Sequence, residues 1–331
     1  MKDFTGRLAV VTGGGTGMGR ELALQLAREG CHLALCDVSE GHMTETRRLV
    51  EALGTGVRVS THRCDVSDEA QVLAFRDAVP AAHGTDRVHL LFNNAGIGGG
   101  GSLTDPNERE AWDKTFAVCF HGVYYGTRAF LPLLMAADAG HIVNTSSING
   151  FWACMGPQVA HTAYSSAKFA VKGFTEALIT DLRMHAPHVK CSVVMPGHVG
   201  TQIVANSMKV LQRDPDQLGP DEIAEVRRTI SELGLPVDNL PDEAIRELMR
   251  ERARQFEATA PTSAAAAAGE ILDGVRAGHW RILVGDDARF LDELVRREPE
   301  QAYEAAFLEQ LFAAGHLTGL VGSVAQADQT M

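Results

Sequence analysis

Three residue types at fixed distances carry the chemistry in this sequence. Tyr164 and Lys168 stand four apart at the start of a long amphipathic stretch. On a helix such positions share a face, so a phenol lies beside an ammonium. A tyrosine ordinarily keeps its proton to about pH 10, and a neighbouring positive charge favours the phenolate. Bringing the phenol from there to about pH 7 takes about 4 kcal/mol, within reach of Lys168 and a cationic nicotinamide acting together. The pair is then a general base near neutral pH. Ser147, one of two serines after the apolar run His141 to Thr145, offers a hydroxyl to hold the reacting oxygen. The three together would move a proton while a hydride moves elsewhere. A lone Tyr-x-x-x-Lys is far more often a surface helix pair, so the reading depends on its surroundings.

The elements that must position these groups start at the N-terminus. Leu8 to Val11 is an apolar run ending in Thr12-Gly13-Gly14-Gly15-Thr16-Gly17-Met18-Gly19, after which Met18, Leu22 and Leu26 recur at helical spacing. Strand, glycine loop and helix are the layout of a dinucleotide site. Bare N–H groups at the helix start, those of Gly17, Met18 and Gly19, face a pyrophosphate, and glycine lets the ligand come close. The loop fits the general G-x-G-x-x-G fingerprint in no frame. His32 to Cys36 reads as the second strand, and Asp37 closes it. A carboxylate there accepts from the adenosine ribose hydroxyls and repels a 2′-phosphate. No arginine or lysine stands at Gly14, Gly15, Thr16 or Val38 to compensate, so NAD is expected and NADP disfavoured. Asp37 reads alternatively as a helix N-cap or turn residue.

These motifs resemble the short-chain dehydrogenase/reductase family. Its T-G-x-x-x-G-x-G is met at every fixed position of residues 12–19, and Ser147, Tyr164 and Lys168 match its catalytic serine, tyrosine and lysine. The likeness runs closely over residues 5–201 and loosely over 262–285. It implies an α/β fold, a doubly wound parallel Rossmann-type sheet of about seven strands with helices on both faces. It also implies further cofactor contacts. Gly13 belongs to the glycine loop. Asp65 and Val66 lie beside the adenine, and Asn93, in Asn93-Asn94-Ala95-Gly96, flanks the cofactor. Lys168 binds the nicotinamide ribose, and Val199 and Thr201, in Pro196-Gly197-His198-Val199-Gly200-Thr201, meet the carboxamide. Asp65 equally suits a cap for a helix starting near Asp68. A long helix is expected from Trp112 to Phe130, where the family carries an asparagine and this chain has Cys119. The carbonyl survives that exchange, but the side-chain support does not. Cys119 is then a buried small residue or a redox group.

From Ser147 to Tyr164 the step is seventeen residues, longer than is usual in the family. Phe151, Trp152, Ala153, Cys154, Met155, Gly156, Pro157 and Gln158 suggest an apolar wall of the substrate pocket, or ordinary loop packing. His161 reads as a polar spectator rather than a catalytic base. Gly98 to Gly101 is a flexible loop at the site mouth or a plain linker. Residues 202–260 exceed the family pattern. Apolar stripes at 221–233 and 242–258, each after a proline (Pro220, Pro241), predict two helices. They form a lid over the substrate or a peripheral hairpin. Ser263 is a candidate cap for a helix from Ala264, Trp280 to Val284 the last strand, and 286–331 a helical tail, all within a single domain spanning 1–331.

Composition narrows the partners. The 331 residues carry a net charge of −12, which argues against nucleic acid and anionic membranes. No apolar run approaches the ~20 residues of a membrane span. The N-terminus enters a strand pattern directly, so no secretory signal is expected and the cytoplasm is. Six cysteines without repeated spacing suggest reduced thiols, and thirteen histidines form no metal-ligand motif, so no metal is expected. The expected function is NAD-dependent interconversion of a secondary alcohol and a ketone on a fairly bulky apolar small molecule. The family resemblance implies a homo-oligomer, dimer or tetramer, with the helix after Tyr164 in its interface. Two rivals stand: an epimerase or lyase of the same fold without net redox, and a catalytically silent NAD-binding sensor, for which only Cys119 speaks.

Overall fold

The computed structural model describes residues 1–155, 159–232 and 235–317. Nine strands alternate with twelve α-helices among them. The strands are β1 (Leu8–Thr12), β2 (His32–Asp37), β3 (Val59–Arg63), β4 (Leu90–Asn93), β5 (Gly140–Thr145), β6 (Val189–Pro196), β7 (Val199–Gly200), β8 (Thr262–Ser263) and β9 (Arg281–Val284). Seven form one parallel sheet, in the order β3-β2-β1-β4-β5-β6-β9, while β7 and β8 make a separate short pair. The order reverses between β1 and β4. In an open α/β sheet that switch point leaves a crevice beyond the carboxyl ends of the strands.

The helices are α1 (Gly17–Arg28), α2 (Glu40–Glu51), α3 (Glu69–His83), α4 (Arg109–Phe116), α5 (Gly122–Met135), α6 (Thr162–His185), α7 (Ile203–Val210), α8 (Pro220–Glu232), α9 (Asp242–Ala258), α10 (Ala264–Ala277), α11 (Asp286–Arg297) and α12 (Ala305–Ala313). Because side chains alternate along a strand, Ala9, Val11, Leu33, Leu35, Leu90 and Phe92 face one side and pack with Leu22, Leu26, Ile271 and Leu272 of α1 and α10. Leu8, Val10, Ala34, Leu91 and Ile142 face the other and pack with Phe75, Phe130, Leu134 and Leu182 of α3, α5 and α6. Both faces are covered, which is why the strands read as unbroken apolar runs. Each such leucine or phenylalanine contributes about 1.5–3 kcal/mol on burial.

Helix starts resolve two open readings. Ser39 caps α2 and Asp68 caps α3 through side-chain oxygens, so neither Asp37 nor Asp65 serves as the cap. Ser263 caps α10, accepting from the Ala266 N–H.

The long helix expected from Trp112 to Phe130 is present, with a π-helical turn at Ala117–His121 between α4 and α5. The Cys119 thiol sits inside that turn, wholly buried, and donates to the Ile97 carbonyl at 3.2 Å. The glycine run is neither linker nor free loop. A side chain at Gly99 would collide with Thr115, and one at Gly101, whose φ is +104°, would meet Trp112 at 2.8 Å. The run threads between α4 and the start of α6, where positions 99 and 101 leave no room for a Cβ. Finally, Phe151 and Trp152 do not face a substrate pocket. Trp152 is buried against Phe307 and donates its indole N–H to the Ala302 carbonyl at 2.6 Å, while Phe151 packs in the same cluster under the Arg281 guanidinium. The C-terminal helices α11 and α12, through Leu291, Phe307 and Leu311, consume this apolar surface. Gly156, Pro157 and Gln158 lie outside the described residues.

The segment between β7 and β8 holds three helices where two were expected, α7 being the addition. It carries its own small core, in which Leu218, Ile223, Val237 and Ile245 are buried against Val226, Ile230 and Met249. Arg213 on Glu108 (2.6 Å) and Asn107 on Glu225 (3.2 Å) tie it to the body. Among the described residues no helix is long and apolar enough to cross a membrane, and no cluster of histidine, cysteine or carboxylate side chains could hold a metal ion.

Candidate active site

Ser147 lies just past the end of β5 and Tyr164 in the first turn of α6, so the two hydroxyls meet at the lip of the crevice. The Ser147 hydroxyl lies close enough to the Tyr164 hydroxyl to favour its phenolate. Ser147 Oγ also accepts from the Asn149 N–H at 3.1 Å. Lys168, one turn further along α6, is only 3% exposed, and its Nζ stands 5.4 Å from the centre of the Tyr164 ring. The ammonium donates to the Thr145 carbonyl at 2.9 Å, while Ser146 Oγ donates to the Lys168 carbonyl at 2.7 Å. These two bonds lace the end of β5 to the first turns of α6. Gly150 permits the approach, since a Cβ there would lie 2.8 Å from the Lys168 carbonyl oxygen. The start of α6 is fixed from the other side by Thr162, which donates to the Gly101 carbonyl and accepts from the Trp112 indole.

The phenol differs from expectation in one respect. Burial raises the Tyr164 pKa above its ordinary value, and the Lys168 charge and the Ser147 hydroxyl pull it down by less. In the protein alone the group keeps its proton at neutral pH. That state suits an acid delivering a proton to a carbonyl oxygen. Acting as a base on an alcohol calls for a further positive charge. His161 lies against the Tyr164 ring, centroids 4.8 Å apart, and burial pushes its pKa down to about 4. It is therefore neutral at pH 7, in keeping with a spectator.

The glycine loop lies across the crevice from these groups. Gly13 and Gly17 have φ of +66° and +53°. A Cβ at Gly13 would stand 2.9 Å from Ala95 Cα, and one at Gly19 would overlap the Gly13 carbonyl. Thr12 Oγ1 accepts from the Asn94 and Ala95 N–H groups at 3.0 Å, tying the ends of β1 and β4 together. No side chain caps α1: Thr16 Oγ1 is turned outward and accepts from Asn206 Nδ2 at 3.0 Å. The first N–H groups of α1 are thus left for an anion. Thr201 stands directly against Gly17, 3.1 Å from where a Cβ would be, with Val199 buried beside it. Asn93 is buried under the crevice floor, its amide donating to Thr127 and Asn144.

Asp37 and Asp65 stand at the ends of neighbouring strands. Asp37 accepts from the Gly15 and Ser39 N–H groups, each at 3.0 Å. Arg20, the basic residue beside this loop, turns inward onto Thr46 and the Gly15 carbonyl. Asp65 has a partner that the sequence did not announce. Lys114 Nζ bonds it at 2.6 Å and Ser67 Oγ at 2.8 Å. Burial works to raise Asp65, but the bonds from Lys114 and Ser67 outweigh it and hold the carboxylate below its usual range. Val66 packs on α5, where a Cβ at Gly122 would fall 2.7 Å from it. The contacts from Lys114, Asn206, Ser207 and Thr162 were not foreseen. Each joins residues far apart in sequence through a residue type that carries no motif.

The profile of the family described as short chain dehydrogenase matches residues 7–211. The chain belongs to the short-chain dehydrogenase family. Its curated relatives there include the Mycobacterium tuberculosis protein named as oxidoreductase SadH, 37% identical over 296 residues, 89% of this chain and 92% of that one. A short-chain dehydrogenase/reductase of Burkholderia phymatum, solved in complex with NAD, superposes with a TM-score of 0.70 at 31% identity, covering 91% of this chain and 96% of that one. A metagenomic short-chain oxidoreductase solved with NADP matches at a TM-score of 0.50 and 35% identity, covering 59% of this chain and 83% of the other. The protein is thus a short-chain oxidoreductase, built on the family's NAD(P)-binding fold. The matched profile ends at the C-terminus of α7, while α10 and β9 beyond it complete the same core and sheet.

Proposed function

We propose that this protein interconverts a secondary alcohol and a ketone with NAD as cofactor, and that Ser147, Tyr164 and Lys168 carry the reaction. The observation behind this reading is the buried Lys168 beside the Tyr164 ring, with the Ser147 hydroxyl close enough to act on the phenol, across from the uncapped N–H groups of the glycine loop. The loop fits a dinucleotide's pyrophosphate, because no side chain caps the first N–H groups of α1, and Gly13 and Gly19 let the loop fold tightly where a Cβ would strike Ala95 or the Gly13 carbonyl. Gly13, Gly17, Met18 and Gly19 would hold the pyrophosphate, Asp37 the adenosine ribose, Asp65 and Val66 the adenine edge, and Asn93, Lys168, Val199 and Thr201 the nicotinamide end. The cofactor supplies or accepts hydride when bound. Tyr164 gives the carbonyl oxygen its proton in reduction and takes it back in oxidation. Ser147 holds that oxygen by a hydrogen bond. Lys168 supplies the charge that partly offsets the burial of the phenol.

NAD is favoured over NADP by Asp37, whose carboxylate pairs with no cation among the described residues, Arg20 being engaged behind the loop. The NAD-bound Burkholderia enzyme is consistent with this choice. Asp65 is bound to Lys114, so its part in adenine recognition reduces to a lone pair not used by that ion pair. The π-helical turn around Cys119 keeps its hydrogen bond to the chain after β4, which supports a working site over a silent sensor. Helices α7 to α9 form a lid that suits a fairly bulky apolar substrate. The protein works in the cytoplasm as a homo-oligomer through the exposed flank of α6, where Phe169 is 42% exposed. The deciding experiment is a titration with NADH and NADPH, followed by a screen of secondary alcohols read at the NADH band. Tighter binding of NADPH, or turnover without NADH formation, would overturn the assignment.

A further inference from the structure

His198 occupies the variable position of the turn that carries Val199 and Thr201, and it joins three parts of the molecule. The residue is 2% exposed. Its backbone N–H donates to Asp287 Oδ2 at 2.6 Å, at the start of α11. Its Nε2 lies 2.7 Å from the Phe256 carbonyl oxygen, in the last turn of α9. A carbonyl only accepts, so Nε2 carries the proton, and the bare Nδ1 is buried without a partner. The ring packs on the Phe256 ring with centroids 4.5 Å apart. The turn is squeezed between these neighbours. A Cβ at Gly197 would overlap the Asp287 carboxylate, and one at Gly200 would stand 2.7 Å from the Glu257 carbonyl. The two residues after His198 form β7, which pairs with β8 just beyond α9. At the other end of the same segment, Asn206 bonds Thr16 of the glycine loop, and Ser207 Oγ accepts from the Gly98 N–H at 2.7 Å.

We propose that His198 is a positioning residue that fastens the end of α9 to the nicotinamide turn, so that seating the cofactor and closing residues 203–258 over the crevice are one event. The proposal rests on the reading that Val199 and Thr201 meet the nicotinamide end. Both ends of the segment touch chain neighbours of residues that would hold the cofactor, Thr16 beside Gly17 and His198 beside Val199. Closure then follows the cofactor rather than the substrate. The buried, neutral ring offers one hydrogen bond in one tautomer, so the link is either made or absent.

The test compares His198→Phe, which keeps a ring on Phe256 but loses the donor, with His198→Gln, which restores a donor of similar reach. Hydrogen exchange of residues 203–258 is followed with and without NADH, beside NADH affinity, substrate KM, kcat and melting temperature. Wild type and His198→Gln should slow exchange in the segment when NADH binds. His198→Phe should lose that protection and raise KM about five- to tenfold with kcat within about threefold, the size of one buried hydrogen bond. Should the phenylalanine not be accommodated, His198→Leu gives the same comparison with a smaller side chain. Retained protection and unchanged KM in the donor-free variant would overturn the proposal, whatever the melting temperature does. NADH binding to wild type without protection of the segment would overturn it as well, leaving the cofactor assignment intact. Failure of wild type to bind NADH would bring down the cofactor assignment and this proposal together.

Discussion

Tyr164 sits in two opposed fields. Burial favours the neutral phenol, and Lys168 and Ser147 favour the phenolate by less. Protonated Tyr164 is ready to serve as the acid in ketone reduction, whereas alcohol oxidation requires it to ionise first. The oxidation rate should therefore rise with pH along a limb that reduction lacks, and this limb should vanish in Tyr164→Phe. That substitution should lower turnover at least ~10²-fold in both directions, with NADH affinity within about twofold of wild type. Near-normal turnover would show that another group moves the proton. Asp37→Ala should narrow the preference for NADH over NADPH by removing repulsion while adding no partner for a phosphate, read as the ratio of the two dissociation constants. An unchanged ratio would detach Asp37 from cofactor choice. These residues were legible because their chemistry depends on fixed spacing along one element or on one loop. Lys114 was not, since its bond to Asp65 spans 49 residues and follows from the packing of α4 on the end of β3.

At the scale of elements, the strands, the glycine loop and the helices that follow were readable from apolar runs and periodicity. What periodicity could not give was the partner of each apolar face. The stripes on α8 and α9 were visible, but they face each other: Met249 packs with Ile223 and Ile245 inside the segment's own core. Met249→Glu should therefore lower the melting temperature and leave KM of the folded enzyme unchanged, whereas Phe256→Glu, against His198, should raise KM for a bulky substrate. A KM effect from Met249 equal to that from Phe256 would return the whole face of α9 to the substrate. The aromatic residues after Ser147 stayed open between a pocket wall and loop packing for the same reason. Their partners, Phe307 and the Ala302 carbonyl, lie about 150 residues away in a tail whose helices outlined themselves in sequence without indicating what they cover. Trp152→Ala leaves a hole between the tail and the β5–α6 loop and should cost about 3–5 kcal/mol of stability. A loss under about 1 kcal/mol in denaturant unfolding would mean that α11 and α12 hold their places without it.

At the scale of the whole molecule, buried histidines set the response to acid. Burial drives His83 and His161 to about 4 and His141 to about 3, and lowers His62, His89 and His198 as well. His141 and Ser192 illustrate the cause. The serine hydroxyl donates to the His279 carbonyl, so it takes its remaining bond from the His141 ring N–H, and the other ring nitrogen is sealed without a partner for a second proton. A histidine whose folded pKa lies below the unfolded value of about 6.5 favours the neutral folded state. Above that value both states are neutral and stability does not change. As pH falls from about 6.5 toward 4 the unfolded chain takes up protons that the folded chain refuses, so stability is lost across that window. Every tenfold difference in proton affinity between the two states is worth about 1.4 kcal/mol, so His83 and His141 together bring the loss to several kcal/mol by pH 4. Asp287, raised by burial, works the other way, gaining a proton more readily in the folded protein. It is one carboxyl against six histidines, so the sign of the sum holds. The melting temperature should be flat from pH 7 to about 8.5 and fall steadily below about 6.5. In His141→Gln the slope below 6.5 should be shallower, because the group that refuses a proton is gone while an amide donor remains for Ser192. A melting temperature level down to pH 4.5 would mean that the interior admits protons to these rings, and that the sealed packing around β5 and β6 opens well before the molecule unfolds.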